Sequence, residues 1–239
     1  MRYKAIVSYD GTNYLGYQSQ KNHQGIQNAI EKAFRLMTQT EILTIGAGRT
    51  DKGVHALGQV FHFDSDLDID EVTWLRVNDR LPLDIRVLKV SKVKDSFHAR
   101  HSAKSKIYKY IIAKKPSTPF TKNYEVYIKN LNVVPMKEAL TSLIGTHDFK
   151  GFCQYVAGKP TIKTIYSATF KETKTHYIFT FHGNSFLKYM VRSIMGTLIQ
   201  IGLGKKEVSI ISEILETQNR DLVGKTAESR GLFLVKIFY

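Results

Sequence analysis

Hydrophobic and polar residues recur along this chain with two different periods, and each period predicts a different element. Apolar residues three or four positions apart predict amphipathic helices over residues 25–37, 69–80, 135–143, 186–201 and 208–215. Alternation with period two, or a short apolar run, predicts strands over residues 3–9, 42–45, 58–63, 85–90, 105–113, 165–170, 177–181 and 232–238. The chain therefore has enough of both elements for a mixed fold.

The order of these elements predicts the fold class. Strands and helices alternate in both halves, and the segments 165–170 and 177–181 look like an antiparallel pair. Hairpin-like pairs among helices favour an α+β fold with a mixed, mainly antiparallel sheet. We expect an N-terminal lobe over residues 1–100 and a C-terminal lobe over residues 101–239.

Charge separates the two predicted lobes. The net charge is +14, and residues 1–100 hold 14 Lys and Arg against 12 Asp and Glu, whereas residues 101–239 hold 21 against 9. A strongly basic second lobe favours a polyanionic partner, most simply nucleic acid, over a merely basic surface. No run of about 18 apolar residues occurs, so no membrane span is expected. The N-terminus has no secretory apolar region, and the single Cys153 fits a reducing compartment, so we expect a cytoplasmic protein.

One glycine-rich stretch, GAGRTDKGVHALGQV at residues 46–60, places Asp51 between Arg49 and Lys52. It does not fit a P-loop, because Val54-His55 follow where that motif needs Lys and Ser or Thr. It does not fit a dinucleotide loop either, because Asp51 occupies the place of the third glycine. Two interpretations stay open: a simple β-turn with solvated cations, or a site where Arg49 attracts a phosphate while the Asp51 carboxylate acts as a nucleophile.

Motifs along nearly the whole chain resemble the tRNA pseudouridine synthase A family in the family's order. They are SYDGTNYLGYQSQ (8–20), GAGRTDKGVHALGQV (46–60), FHARHSAKSKIYKYII (97–112), GTHDFKGF (145–152), GNSFLKYMVRSIMGTLIQIGLGK (183–205) and GLFLVKIFY (231–239). The resemblance implies the pseudouridine synthase fold, with two sheet-bearing lobes that share a sheet and a basic cleft between them. It implies a homodimer that isomerises uridine to pseudouridine at positions 38, 39 and 40 of the tRNA anticodon arm, without a cofactor or a metal.

The resemblance also implies roles for individual residues. Asp51 matches the catalytic aspartate, and Tyr108 matches an active-site tyrosine that would stack on the target uracil; without the resemblance, packing in the core would be the simpler interpretation of Tyr108. Arg49 would hold the flipped nucleotide's phosphate or fill the vacated stack, or would pair structurally with Asp51. Arg192 would point into the active cleft.

The remaining candidates are expected to contact RNA. His55, Gln59 and Arg100 lie in matched segments, and Lys188 stands four residues before Arg192 on the predicted helix, where the alternative is a solvated face. A run of lysines around the second motif is expected to attract phosphates without reading sequence: Lys104, Lys106, Lys109, Lys114 and Lys115. The second motif has lysines where the family is richer in arginine, which removes the bidentate fork. The competing function is an RNA-binding protein without catalysis, which would not explain a carboxylate among these cations.

Overall fold

The structure is a computed structural model that describes residues 1–20 and 24–239. The described residues fall into two units. The first unit comprises Met1–Lys104 and Phe233–Tyr239, and the second comprises Ser105–Leu232. The last strand of the chain therefore groups with the N-terminal residues.

The strands and α-helices have the following bounds. The strands are β1 (Arg2–Tyr9), β2 (Thr44–Gly46), β3 (His55–Asp64), β4 (Ile85–Val93), β5 (Ser105–Ala113), β6 (Val126–Tyr127), β7 (Gly145–Asp148), β8 (Ile162–Glu172), β9 (His176–Gly183) and β10 (Leu232–Phe238). The α-helices are α1 (Ile26–Thr38), α2 (Glu71–Trp74), α3 (Val134–Ala139), α4 (Met190–Gly202) and α5 (Ile210–Thr217). Short 3₁₀ helices span Leu75–Asp79, Thr141–Leu143, Arg220–Leu222 and Ser229–Gly231.

In the first unit the strands lie in the order β4-β1-β3-β10, and β2 pairs with β3. β1 is antiparallel to β3 and β4, whereas β10 is parallel to β3. Every second residue of β1 is buried, and α1 buries its apolar stripe as its spacing predicts. Aromatic side chains fill the space between helix and sheet, with Phe34 in ring contact with Phe61, Phe63 and Trp74.

In the second unit the order is β5-β9-β8-β7, and β6 pairs in parallel with β5. β5, β9, β8 and β7 are antiparallel to their neighbours. α4 is buried along most of its length. Its last residue, Gly202, packs so closely on Met136 of α3 that an added Cβ would lie 2.7 Å from the sulfur. The predicted α+β class with mixed, mainly antiparallel sheet flanked by helices is confirmed.

Most predicted elements are present, but the helices predicted over 69–80, 135–143 and 186–201 differ from the structure. The segment 135–143 is divided between α3 and the 3₁₀ helix Thr141–Leu143. The segment 69–80 is a short α-helix followed by a 3₁₀ helix, because the Asn78 amide pairs with the backbone of Val87 in β4 and draws that turn onto the sheet. The helix predicted from Phe186 begins only at Met190, so its predicted start is wrong. Tyr189 has a left-handed backbone with φ 66°, which no α-helix contains.

The later start of α4 changes the predicted helix face. Lys188 precedes the helix, so the expected i, i+4 relation between Lys188 and Arg192 does not exist. Phe186 likewise lies outside the apolar stripe, which retains the buried Met190, Ile194 and Leu198.

The longest helices of the described residues, α1 and α4, have 13 residues each. Within residues 1–20 and 24–239, no helix has the length and apolar character needed to cross a membrane.

Candidate functional site

The loop of residues 47–54 joins β2 to β3 and carries Asp51. The amide of Val54 donates a hydrogen bond of 3.1 Å to the carbonyl of Asp51, and Gly53 has φ 73°, so residues 51–54 form a tight turn. Asp51 is half-buried, whereas Arg49 and Lys52 on either side are exposed. The predicted turn is thus present, and it presents a partly sheltered carboxylate between two accessible cations.

The segment that follows β1 holds this loop from both ends. The amide of Tyr17 donates to the carbonyl of Thr50 at 3.2 Å, and the amide of Gly53 donates to the carbonyl of Tyr14 at 3.3 Å. Gly16 has φ 106°, and a Cβ added there would lie 2.6 Å from the Thr50 oxygen. Glycine is therefore required at residue 16 for the close approach of the two segments.

Buried polar side chains support the loop from the interior of the unit. Two of them, Tyr9 and Thr50, were not identified as site residues from the sequence. The hydroxyls of Tyr9 and Thr50 are 2.8 Å apart, and these residues are only 4% and 6% exposed. Burial raises the pKa of Tyr9, although hydrogen bonds with Thr50 and Gln59 oppose the shift, so its hydroxyl stays protonated. The only sequence signal was the position of Tyr9 immediately before the Asp10-Gly11 turn.

His55 and Gln59 are predicted to contact RNA, but both side chains are buried. Neither therefore has the surface position that a direct RNA contact requires. Gln59 is fully buried, and its Nε2 donates to the carbonyl of Gly48 at 3.0 Å. His55 is 1% exposed and stacks on Phe233 with ring centroids 4.6 Å apart. Its Nδ1 lies 3.1 Å from both the amide of Gly11 and a carboxylate oxygen of Asp10. Gln59 therefore holds the loop from within the unit, whereas His55 joins the start of β3 to the Asp10-Gly11 turn after β1.

Arg100 lies on the surface of the first unit, in a segment that contains stacked histidines. The ring of His98 lies 4.8 Å from that of His62 and 4.2 Å from that of His101. The Nδ1 of His98 accepts hydrogen bonds of 3.2 Å from the amides of Arg100 and His101. Burial and neighbouring cationic groups, including Arg2, lower the pKa of His62 and His98. Arg100 has the exposure that a phosphate contact needs.

Tyr108 and Tyr110 alternate along β5 in the second unit. Tyr108 is half-buried and meets Phe186 edge to face, with ring centroids 5.1 Å apart. Tyr110 is fully buried and donates its hydroxyl to the carbonyl of Glu228 at 2.9 Å, which confirms its predicted packing role. Of the two rings, Tyr108 is the one that retains accessible surface.

Arg192 is held in the first turn of α4 by a partner that the sequence did not reveal. Its Nε donates to the carbonyl of Ala227 at 2.8 Å, and the amide of Ala227 donates to the Arg192 carbonyl at 3.0 Å. The Tyr189 ring lies 5.5 Å from the Arg192 guanidinium carbon and 5.1 Å from the exposed Lys188 ammonium. The structure thus brings Lys188 and Arg192 to one aromatic ring by a turn rather than by a shared helix face.

The lysine run around the second motif is less uniform than its sequence suggests. Lys104 and Lys115 are exposed, but burial lowers the pKa of Lys109. Strand alternation places Lys109 on the face of β5 opposite to Tyr108. Lys114 pairs with Glu172 at 2.5 Å and lies 4.9 Å from the Tyr177 ring. These lysines therefore face different surroundings.

Groups of three or more His, Cys, Asp or Glu side chains placed to hold a metal ion do not occur among the described residues.

Comparison with known proteins gives consistent matches over the whole chain. The profile of a family described as tRNA pseudouridine synthase matches residues 5–102 and 139–239. A protein of Aster yellows witches'-broom phytoplasma named tRNA pseudouridine synthase A is 41% identical over 238 residues, covering 99% of this chain and 98% of that protein. Proteins of the same name from Thermoanaerobacter pseudethanolicus and Streptococcus thermophilus are 44% identical over 238 residues (98% of each chain) and 41% identical over 246 residues (100% and 99%).

A solved structure entitled "Structure of H/ACA RNP bound to a substrate RNA containing 2'-deoxyuridine" is a more distant match. Its TM-score is 0.36 at 10% identity, covering 83% of this chain and 43% of that chain.

Proposed function

This chain belongs to the tRNA pseudouridine synthase family, and from that premise we propose that it isomerises uridine to pseudouridine in tRNA. The observation that carries the proposal is the loop of residues 47–54, which holds a half-buried carboxylate between exposed cations on a rigid support. A loop that only bound RNA would gain nothing from a negative charge at Asp51, since it would repel the phosphates that Arg49 and Lys52 attract.

The reaction balances without an outside reagent. The bond between uracil N1 and ribose C1′ breaks, the base turns, and a bond forms between C5 and C1′. The C5 proton leaves and N1 gains a proton, so substrate and product are isomers, and no oxidant or reductant is consumed.

We propose Asp51 as the catalytic carboxylate. It would attack C1′ of the ribose, attack C6 of the base, or assist cleavage of the glycosidic bond. Each route needs a carboxylate held at a fixed distance from the target nucleotide. The hydrogen bonds of Thr50 and Gly53 on either side of Asp51 support this role, because they restrict the backbone that carries the carboxylate.

Arg49 and Tyr108 are proposed to hold the target nucleotide. A base in a stem must leave the stack before it can react. The exposed Arg49 has the charge to hold the phosphate of a flipped nucleotide, or the planar group to fill the space that the base leaves. The half-buried ring of Tyr108 has a face on which uracil would stack, with Phe186 supporting the ring from the side.

Arg192 and Lys188 are proposed to contribute positive charge in the same reaction. The bond from Arg192 to Ala227 fixes one guanidinium nitrogen and so restrains the orientation of the guanidinium group. Lys188 is exposed, so we assign it to phosphate attraction. Arg100 and the exposed Lys104 and Lys115 are proposed to bind phosphates without base specificity.

The finer features of the substrate and assembly rest on the family resemblance. We propose that the uridines at positions 38, 39 and 40 of the anticodon arm are the targets. We propose further that the protein acts as a homodimer in the cytoplasm. His55 and Gln59 are proposed to act on the reaction through the loop. The buried Gln59 side chain bonds to Gly48 within it, and the buried side chain of His55, which follows the end of the loop at Val54 in sequence, accepts a bond from Gly11.

The test uses tRNA transcripts labelled with tritium at uridine C5, incubated with the protein under metal chelation. Transcripts that keep a single uridine at position 38, 39 or 40 separate the three targets. We expect tritium release from each of these transcripts and none from a transcript with all three replaced by cytidine. Release from the replaced transcript would place the target elsewhere. Tight binding without release from any transcript would favour the RNA-binding protein without catalysis.

A further inference from the structure

The first unit contains a buried pair of hydroxyl groups directly beneath the proposed catalytic loop. The Tyr9 oxygen lies 2.8 Å from Oγ1 of Thr50, and Thr50 immediately precedes Asp51. We propose that this hydroxyl pair is a positioning device that fixes the backbone carrying the Asp51 carboxylate. The proposal rests on the proposed function and assigns Tyr9 and Thr50 to it as positioning residues.

Thr50 is held by two directional bonds that use different atoms. Its carbonyl accepts from the amide of Tyr17, and its hydroxyl bonds to Tyr9. Fixing both groups restricts the rotation of the peptide that leads into Asp51. A packed apolar residue at either position would fill the same space but would not set this orientation, because packing is not directional.

A shift in the pairing of β1 with β3 places the Tyr9 side chain next to the loop. The pairing of β1 with β3 runs in register to Val7, which faces Gln59, and then shifts so that Tyr9 faces Ala56. Such a bulge redirects the side chains beside it and often lies next to an active site. Tyr9 remains on the buried face with Val7, so its hydroxyl reaches under the loop rather than into solvent.

The Tyr9–Thr50 hydroxyl pair lies in buried surroundings, where water cannot replace a lost hydrogen bond. Tyr9 packs at 6.2 Å from the ring of Tyr17, which is itself buried. In such a setting the bond between the two hydroxyls matters, since a buried hydroxyl that loses a partner is not compensated by water. Gln59 lies close enough to Tyr9 to affect its pKa and bonds to Gly48 of the same loop. Tyr9, Thr50, Gln59 and Gly48 thus form one connected support.

The test compares Tyr9→Phe, Thr50→Val and the double variant with the unaltered protein. Single-turnover rates of isomerisation, dissociation constants for tRNA and thermal unfolding are measured for each. Because displacement of a reacting group by about 1 Å costs on the order of 100-fold in rate, we expect each single variant to slow the step by about 10- to 100-fold. The affinity for tRNA should be unchanged, and the double variant should be no slower than the slower single variant, because one interaction is lost in all three.

A matched control comes from the same strand. Tyr3 lies on the same buried face of β1, and its hydroxyl bonds to the carbonyl of Ile69 at 3.3 Å, away from the loop. Tyr3→Phe removes an equivalent buried hydroxyl and should keep the rate of the unaltered protein. Thr50→Ser retains the hydroxyl and should recover most of the rate lost in Thr50→Val. If the valine variant does not fold, Tyr9→Phe and Thr50→Ser still test the role of the hydroxyl pair.

Three outcomes would overturn the inference. They are normal rates in Tyr9→Phe and Thr50→Val, multiplicative losses in the double variant, or an equal loss in Tyr3→Phe. Failure of the proposed function is distinguishable, because the unaltered protein would then release no tritium from tRNA at all.

Discussion

Gly16→Ala is the substitution that most sharply tests how the N-terminal segment supports the loop. Gly16 has φ 106°, and an added Cβ would lie 2.6 Å from the carbonyl oxygen of Thr50. That oxygen cannot turn away freely, because it accepts the hydrogen bond from the amide of Tyr17. The methyl group must therefore separate the two segments.

The cost has two parts. A left-handed backbone at a residue with a Cβ costs about 1–2 kcal/mol, and an added methyl in a packed site costs about 1–3 kcal/mol. Together they predict a loss of about 2–5 kcal/mol in the free energy of unfolding. For a chain of this length, each kcal/mol lowers the melting temperature by about 2–4 °C. The displacement of Thr50 should also slow isomerisation by about 10- to 100-fold at a temperature where the variant is folded.

Gly204 provides the matched control for this experiment. It has φ 67°, is exposed, and has no heavy atom within 4 Å of an added Cβ. Gly204→Ala should therefore show only the backbone cost of about 1–2 kcal/mol and an unchanged reaction rate. Thermal unfolding followed by circular dichroism, with single-turnover kinetics, measures both variants. Equal effects of the two substitutions would refute the steric reasoning.

Two further predictions concern Arg192 and the stacked histidines. Gly196 of α4 touches the backbone of Lys225, so Gly196→Ala should displace the segment that holds Arg192 through Ala227 and slow isomerisation by about tenfold or more; an unchanged single-turnover rate would contradict this. The folded-state pKa of His62 is lowered, so below its ordinary value of about 6.5 the unfolded chain binds protons first. Stability should therefore fall as the pH drops from about 6.5 towards the folded-state pKa. His62→Gln, which keeps an acceptor for the amide of Ala99, should flatten that dependence in urea unfolding at pH values above and below this range; an equally steep dependence in the variant would contradict the assignment.

The elements with strong periodicity could be predicted from the sequence. α1 follows its apolar spacing, and β10 has the predicted bounds, because one buried face determines each of them. The start of α4 could not be predicted. Phe186 and Leu187 continue the apolar pattern of the helix, but Tyr189 adopts a backbone that tyrosine rarely takes, and only the tertiary structure imposes it.

The candidate site was partly predictable for a similar reason. Local composition marks the turn at Asp51, since glycines and opposite charges cluster there. The hydrogen bond between Tyr9 and Thr50 joins residues far apart in sequence, and such a contact leaves no periodic trace. The matched segment predicts that Gln59 contacts RNA. Successive residues of β3 are buried on both faces, however, so alternation does not distinguish buried from exposed positions there.

The central claim is that Asp51 performs the chemistry and does not serve RNA binding. The most direct measurement is tritium release from C5-labelled tRNA by Asp51→Asn, with tRNA affinity measured in parallel and Asp66→Asn, an exposed carboxylate of the same unit, as the control. We predict no release by Asp51→Asn at undiminished tRNA affinity, and normal release by Asp66→Asn. Release by Asp51→Asn at the rate of the unaltered protein would contradict the account.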